Sequence, residues 1–259
     1  SFSVSPFMVF TEGMLAWPPD PEAWSLRWYR NMIGDCSAEV VSSTVPCSTK
    51  WMKGTVNSFY IGIIATLIAT VLGTMAALGL SRPHMPYKAL IMSILISPMI
   101  VPLIITAAGM FFFYARINLV YTFTGVILAH VALATPFVVI TVTATLVGFD
   151  MNMVKAAQSL GAKPMRTFFK IIMPLILPGI ISGALFAFIT SFDEVVIVMF
   201  MASIDQLTIP KQMWAGIRQE ISPVILCMAT CLVILSIVLL TTVELLRRRA
   251  ERLRGIKAR

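Results

Sequence analysis

Charge is what this sequence has least of: Asp, Glu, Lys and Arg make up 12% of 259 residues, against about 25% in an ordinary soluble domain. A water-soluble single core is therefore excluded as the natural reading. Histidine is scarcer still, with only His84 and His130, far apart in sequence, so no metal-ligand cluster is expected. No Gly-x-x-x-x-Gly-Lys-Ser/Thr loop is present, and phosphate binding would have to come from another chain. A clustered set of acid, base and nucleophile is also missing, which argues against an enzyme. Carboxylates within apolar stretches occur only at Asp193 and Glu194, and no inverted repeat is visible, which argues against an ion-driven secondary transporter.

What the chain does have is apolar length. Hydrophobic residues are 58% of it, and no Asp, Glu, Lys or Arg interrupts Thr55–Ser81, Ala89–Ala115, Ile117–Phe149, Ile171–Phe192 or Ile221–Val243. About 20 apolar residues cross a bilayer as a helix, because each backbone amide must be satisfied within its own segment. The expectation is an all-α integral membrane protein with five complete spans. Residues 1–10, Ser1 to Phe10, are apolar but too short to cross; the end of a truncated first span is expected there, a cleaved signal peptide being the competing account. Residues 11–53 then form an outer loop, 54–247 the spans, and 248–259 a basic tail.

The net charge of +8 could point to nucleic acid, but the basic residues cluster between apolar blocks, as membrane proteins keep them. Of the 20 Lys and Arg, thirteen fall in one alternating set of loops: Arg82 and Lys88, then Lys155, Lys163, Arg166 and Lys170, then seven in the tail from Arg247 to Arg259. That set is assigned to the cytoplasm, which places the tail inside against anionic headgroups and residues 11–53 outside. Cys36 and Cys47 fall in this outer loop, as a disulfide or as two free thiols; Cys227 and Cys231 sit one turn apart in the last span and are expected only to pack.

The longest inner loop, 148–174, has the pattern of two short helices. Asp150 or Asn152 can cap the first; Met153, Ala156, Ala157 and Leu160 recur at helical spacing; Gly161 suits a left-handed stop; Pro164 suits the opening turn of the second. Ala156, Ala157, Gly161, Ile171 and Pro174 stand in the register of a signature, Glu-Ala-Ala, three residues, Gly, nine residues, Ile-x-Leu-Pro. By it the chain resembles the permeases of binding-protein-dependent, ATP-driven importers. Met173 replaces the Leu, and Lys155 stands where the family has Glu, either to pair with an acid on the ATPase or as a tolerated surface exchange.

The resemblance implies the transmembrane fold of a type I ABC importer and a coupling helix seated in a groove of an ATPase subunit. Ala156 and Ala157 would offer a flat surface, Gly161 the bend, and Lys163, Arg166 and Lys170 charge for the partner. It further implies a second permease, read as a different chain, two ATPase subunits holding ATP and Mg, a periplasmic binding protein, and a bacterial inner membrane. No cofactor or metal belongs to this chain.

A charge inside a span costs roughly 2.5 to 3.5 kcal/mol on insertion scales, so Asp193 and Glu194 need an account. They are placed in the outer half of the span that begins at Ile171, the fifth when the truncated first span is counted. Either carboxylate could receive an ammonium group, or each could be an interfacial acid bonded to a neighbouring helix. The stretches Gly183–Glu194 and Leu207–Pro223, with Ser-Leu-Arg-Trp-Tyr at Ser25–Tyr29, resemble the putrescine/spermidine branch of these permeases, which implies a polyamine cargo. Another small organic solute, such as an amino-acid derivative or opine, is the alternative. Leu207–Glu220, with Trp214, reads as an outer amphipathic helix. Pro98 and Pro102 are expected to kink the second span, and His130 to serve packing rather than proton relay.

Overall fold

The computed structural model describes residues 27–34, 49–82, 84–147, 152–219 and 223–253, with backbone alone at 27, 219, 223 and 243–253. Residues 1–10, Asp150, Cys36, Cys47 and the tail beyond Leu253 lie outside the described residues. Every regular element described is helical: α1 (Arg27–Met32), α2 (Lys50–Leu80), α3 (Lys88–Ile100), α4 (Leu103–Arg116), α5 (Phe123–Val147), α6 (Asn152–Ser159), α7 (Pro164–Thr167), a π-helical turn (Phe168–Ile172), α8 (Met173–Phe192), α9 (Val196–Met201), α10 (Ile209–Gln219) and α11 (Pro223–Leu253).

Among the described residues, four helical stretches are long and apolar enough to cross a bilayer: Lys50–Leu80, Phe123–Val147, Pro164–Phe192 and Val224–Thr242. α3 and α4 pass that test only together, bent by 103° at the break between them. Counted as one broken span they bring the four to the expected five, and the expected kink is a full break. Its cause is local. Val101 precedes a proline and is extended, at φ −71° and ψ 134°, as the proline ring requires of its predecessor. Pro102 has no N–H to continue the ladder and instead opens α4.

The chain divides into two compact units, Tyr60–Ala202 with Val243–Arg259, and Ser1–Phe59 with Ser203–Thr242. In the first, α5 is the central helix, with twelve buried positions that include Val126, His130, Ala134, Val138 and Val142. Lipid tails are as apolar as leucine, so burial alone does not drive helices together; dispersion at close approach does, and small residues permit it. α8 carries Gly179 and Gly183 one turn apart. A β-carbon at Gly179 would collide with Thr145 Oγ1 of α5, and one at Gly183 with Thr141 Oγ1. From the other element, a β-carbon at Gly73 of α2 would sit 2.6 Å from Val138 Cβ.

Three hydroxyls of α5 are satisfied locally. Thr135, Thr141 and Thr145 donate to carbonyls one turn back on α5, which costs no partner on another helix. His130 reaches another helix, its Nδ1 lying 2.8 Å from Ser191 Oγ of α8, while its Nε2 and the hydroxyls of Thr66, Thr70, Thr74, Thr106 and Thr143 are buried with no hydrogen-bond partner. The buried His130–Ser191 bond joins the two helices that the glycines bring together, in keeping with the packing role expected of His130.

In the second unit the start of α2 holds the segment leading into α10. Asn57 Nδ2 donates to Asp205 O at 2.7 Å and Leu207 O at 2.9 Å, and Ser58 Oγ accepts from Ile209 N at 2.8 Å. Gly54 lets the backbone of Thr208 and Ile209 approach. The Lys53–Asp205 ion pair, at 2.8 Å, is largely exposed and adds little. α10 is amphipathic as expected, with Trp214 and Ile217 exposed one turn apart. Cys227 is buried and, like Cys231, a free thiol.

Substituting Gly183 by Leu forces α8 off α5. Overpacking of this kind costs about 1–3 kcal/mol, so thermal unfolding of the detergent-solubilised protein should fall by several degrees. Gly109→Ala is the matched control: no atom lies within 4 Å of its β-position in α4, and the unfolding temperature should not drop.

Candidate functional site

The loop between α5 and α8 is built as an elbow. α6 stops because Gly161 takes φ +78°, a left-handed conformation that costs a residue with a side chain about 1–2 kcal/mol. Ala162 N donates to Ala157 O at 3.0 Å and Gly161 N to Gln158 O at 2.9 Å, the paired bonds that close a helix in a Schellman turn. Lys163 is extended, and Pro164 opens α7 at its first turn, where its missing amide is no loss. Thr167 is buried, and its backbone N–H returns to Lys163 O at 3.0 Å.

The structure departs from the expected pair of short helices here. α7 does not end before the span; it runs through Phe168–Ile172 into α8, so that Pro164–Phe192 is one 29-residue helical stretch. Lys163, Arg166 and Lys170 marked a boundary of composition, not of the helix. Pro174 sits at the start of α8, just beyond the π turn, whose Phe168 carbonyl accepts from Met173 N. A proline lacks the N–H that would bond one turn back, and its ring presses on that carbonyl. A wider turn in front of it relieves both, as π turns inside helices do.

The elbow's faces are also finer than the spacing suggested. Val154 and Ala157 are buried, whereas Ala156 and Lys155 are exposed. The two alanines therefore do not form one flat surface: Ala157 closes the elbow on itself, and Ala156 lies on the outer face. Met153 and Leu160 join it there, 46% and 88% exposed, at i, i+3 and i+7. Met165 and Phe169, 68% and 57% exposed, extend the apolar surface onto α7 and the π turn. Lys155, Lys163, Arg166 and Lys170 are exposed around it. An apolar stripe rimmed by cations is a surface for a protein partner rather than for a small molecule.

Asp193 and Glu194 are not within a helix. α8 ends at Phe192, with Asp193 N bonded to Ile189 O as its cap, and α9 begins at Val196. The apolar run on both sides hid this break from a reading of composition. The two acids also differ. Glu194 is buried and its Oε1 accepts from Ile197 N at 2.9 Å, so it caps α9. Asp193 is exposed and leaves its carboxylate to the surroundings. Glu194→Ala, which removes the cap, should cost about 1 kcal/mol of stability, while Glu194→Gln keeps an acceptor and should restore most of it; thermal unfolding distinguishes the two.

The residues that reading by composition passed over are Gly179, Gly183 and Ser191. The first two form a Gly-x-x-x-Gly, a signal for close helix packing in apolar segments. Ser191 carried no signal until its partner, His130, was placed beside it. Among the described residues no group of three His, Cys, Asp or Glu could hold a metal ion.

Residues 69–252 match the family described as the binding-protein-dependent transport system inner membrane component. The chain belongs to this family. It is a permease-type membrane subunit of such a transport system, not an enzyme. It is 29% identical over 198 residues to the spermidine/putrescine transport system permease protein PotC of Haemophilus influenzae, covering 76% of this chain and 77% of that one. It is 29% identical over 214 residues to the putrescine transport system permease protein PotI of Escherichia coli, covering 80% and 72%. Solved structures share the fold. The importer of the acidic polysaccharide alginate matches at a TM-score of 0.70 and 13% identity over 92% of this chain and 86% of that chain. The MetNI methionine transporter matches at 0.61 and 18% over 77% and 95%.

Proposed function

We propose that this chain is one of two unlike permease subunits of an importer that carries a polyamine, putrescine or spermidine, from periplasm to cytoplasm. Its partners are a second permease, two ATPase subunits that bind ATP and Mg, and a periplasmic binding protein. The C-terminal tail lies in the cytoplasm. The observation that carries the mechanism is the unbroken helix Pro164–Phe192, with an exposed elbow at its start and Asp193 at its end.

The elbow is the seat for the ATPase. Met153, Ala156, Leu160, Met165 and Phe169 offer it apolar contact, and Lys163, Arg166 and Lys170 steer it electrostatically. Lys155, exposed on α6 beside this stripe, pairs with an acid of that partner. When nucleotide draws the ATPase subunits together, the elbow is displaced, and α8 moves with it because Pro164–Phe192 is one continuous helical stretch. Access to the pathway then alternates between the two sides. At the far end Asp193 receives an ammonium group of the cargo, while Glu194 is committed to α9. The names of the relatives support a polyamine, and the free carboxylate supports a cation.

Uptake into proteoliposomes holding the assembled importer tests this, with ATP inside and binding protein outside. Gly161→Val forces a β-branched residue into φ +78°; transport should fall to background while insertion and assembly persist, and wild-type uptake would exclude the lever. Asp193→Asn removes a charge-assisted hydrogen bond of about 1.5–3 kcal/mol. It should raise the KM for putrescine by about tenfold or more, whereas Glu194→Gln should leave it within about twofold. Equal effects, or none, would remove Asp193 from the pathway.

A further inference from the structure

A second chemistry-bearing place lies in the loop joining α2 to α3, away from the elbow and from Asp193. Gly79, Arg82, His84, Met85 and Pro86 line an open cleft of about 530 Å³, a size that ligand sites commonly have. Arg82 and His84 are exposed, as is Lys88 at the start of α3. No Asp or Glu occurs between Glu39 and Asp150, and among the described residues no ion pair reaches Arg82 or Lys88. The cleft is thus cationic and has no carboxylate of its own.

An apolar track on α2 leads up to Gly79, which lines the cleft. Leu72 and Met75 of α2 are 50% and 65% exposed, and Gly79 has nothing within 4 Å of its β-position. These residues stand at i, i+3 and i+7, which is one face of a helix, over about 10 Å of its length. Gly79 stands between track and cleft with open space at its β-position. The surface therefore asks for a molecule with an anionic end and an apolar body.

We propose that this cleft binds the headgroup of an anionic phospholipid, with the phosphodiester on Arg82 and one acyl chain along Met75 and Leu72. Arg82 can take two phosphate oxygens at once, the His84 ring can donate a hydrogen bond, and Lys88, two residues beyond the lining Pro86, adds positive charge nearby. A zwitterionic lipid gains less, because the cleft offers no carboxylate to its ammonium. Free phosphate gains less because it leaves the track empty. The loop belongs to the Lys/Arg-rich set assigned to the cytoplasmic face, where anionic lipid concentrates its effect.

The assembled importer, stripped of endogenous lipid in detergent, is titrated with dioleoyl phosphatidylglycerol or dioleoyl phosphatidylcholine, and bound lipid is counted by native mass spectrometry. Phosphatidylglycerol should occupy one site per copy of this chain about tenfold more tightly than phosphatidylcholine, the weight of one charge-assisted pair. Arg82→Gln, at an exposed position, should abolish that preference, and Gly79→Leu should remove the site for both lipids. Millimolar inorganic phosphate should not displace the lipid. Retention of the preference in both variants would overturn the proposal. Displacement by phosphate alone would overturn it too, in favour of a free-anion site.

Discussion

Thr141 and Thr145 of α5 leave room for nothing larger than glycine at positions 183 and 179 of α8, and the rest of the architecture depends on that contact. In lipid there is no water to expel between helices, so two spans stay together only where their atoms meet closely or a buried polar bond joins them. α5 and α8 have both. The glycines bring the backbones together, and His130 and Ser191 meet at 2.8 Å near the other end. α2 reaches the same central helix through Gly73. A closely packed centre follows, and on the proposed mechanism a displacement at one end of α8 is carried along it to the other.

That close packing gives the elbow its meaning. A chain without a nucleotide site can transport uphill only by receiving work, and the part that receives it must be exposed at one end and continuous with a span at the other. The stretch 152–192 meets both conditions. Gly161 turns the chain back, Val154 and Ala157 close the turn, and from Pro164 the helix runs without a break into the membrane. The two acids differ in setting: Glu194 accepts from Ile197 N at the start of α9, whereas Asp193 is exposed.

Much of this was legible from residues alone, for a physical reason. A span must be long, apolar and free of charge, so the five blocks stood out; Gly161 and Pro164 each carry a backbone preference strong enough to predict the turn. Where the reading went astray, composition and geometry part company. Lys170 and Arg166 suggested a boundary, yet a helix that leaves the bilayer can stay a helix with charges on it. Asp193 and Glu194 were placed inside a span because apolar residues continue to Met201, but the backbone breaks after Phe192. Ala156 and Ala157 share a motif and not a face, since neighbours on a helix point about 100° apart. Contacts between remote segments, such as Ser191 with His130 or Asn57 with the carbonyls of Asp205 and Leu207, leave no pattern in the order of residues.

The central claim is that elbow and span move as one body. Spin labels at Ser159 and Leu177, both exposed, in the assembled transporter would report the distance between them by pulsed electron resonance, with and without trapped nucleotide. The account predicts one unchanged, narrow distribution while access to the pathway reverses. A shift of about 5 Å, one helical turn, or a broadening on nucleotide binding would show a hinge between elbow and span, and would contradict it.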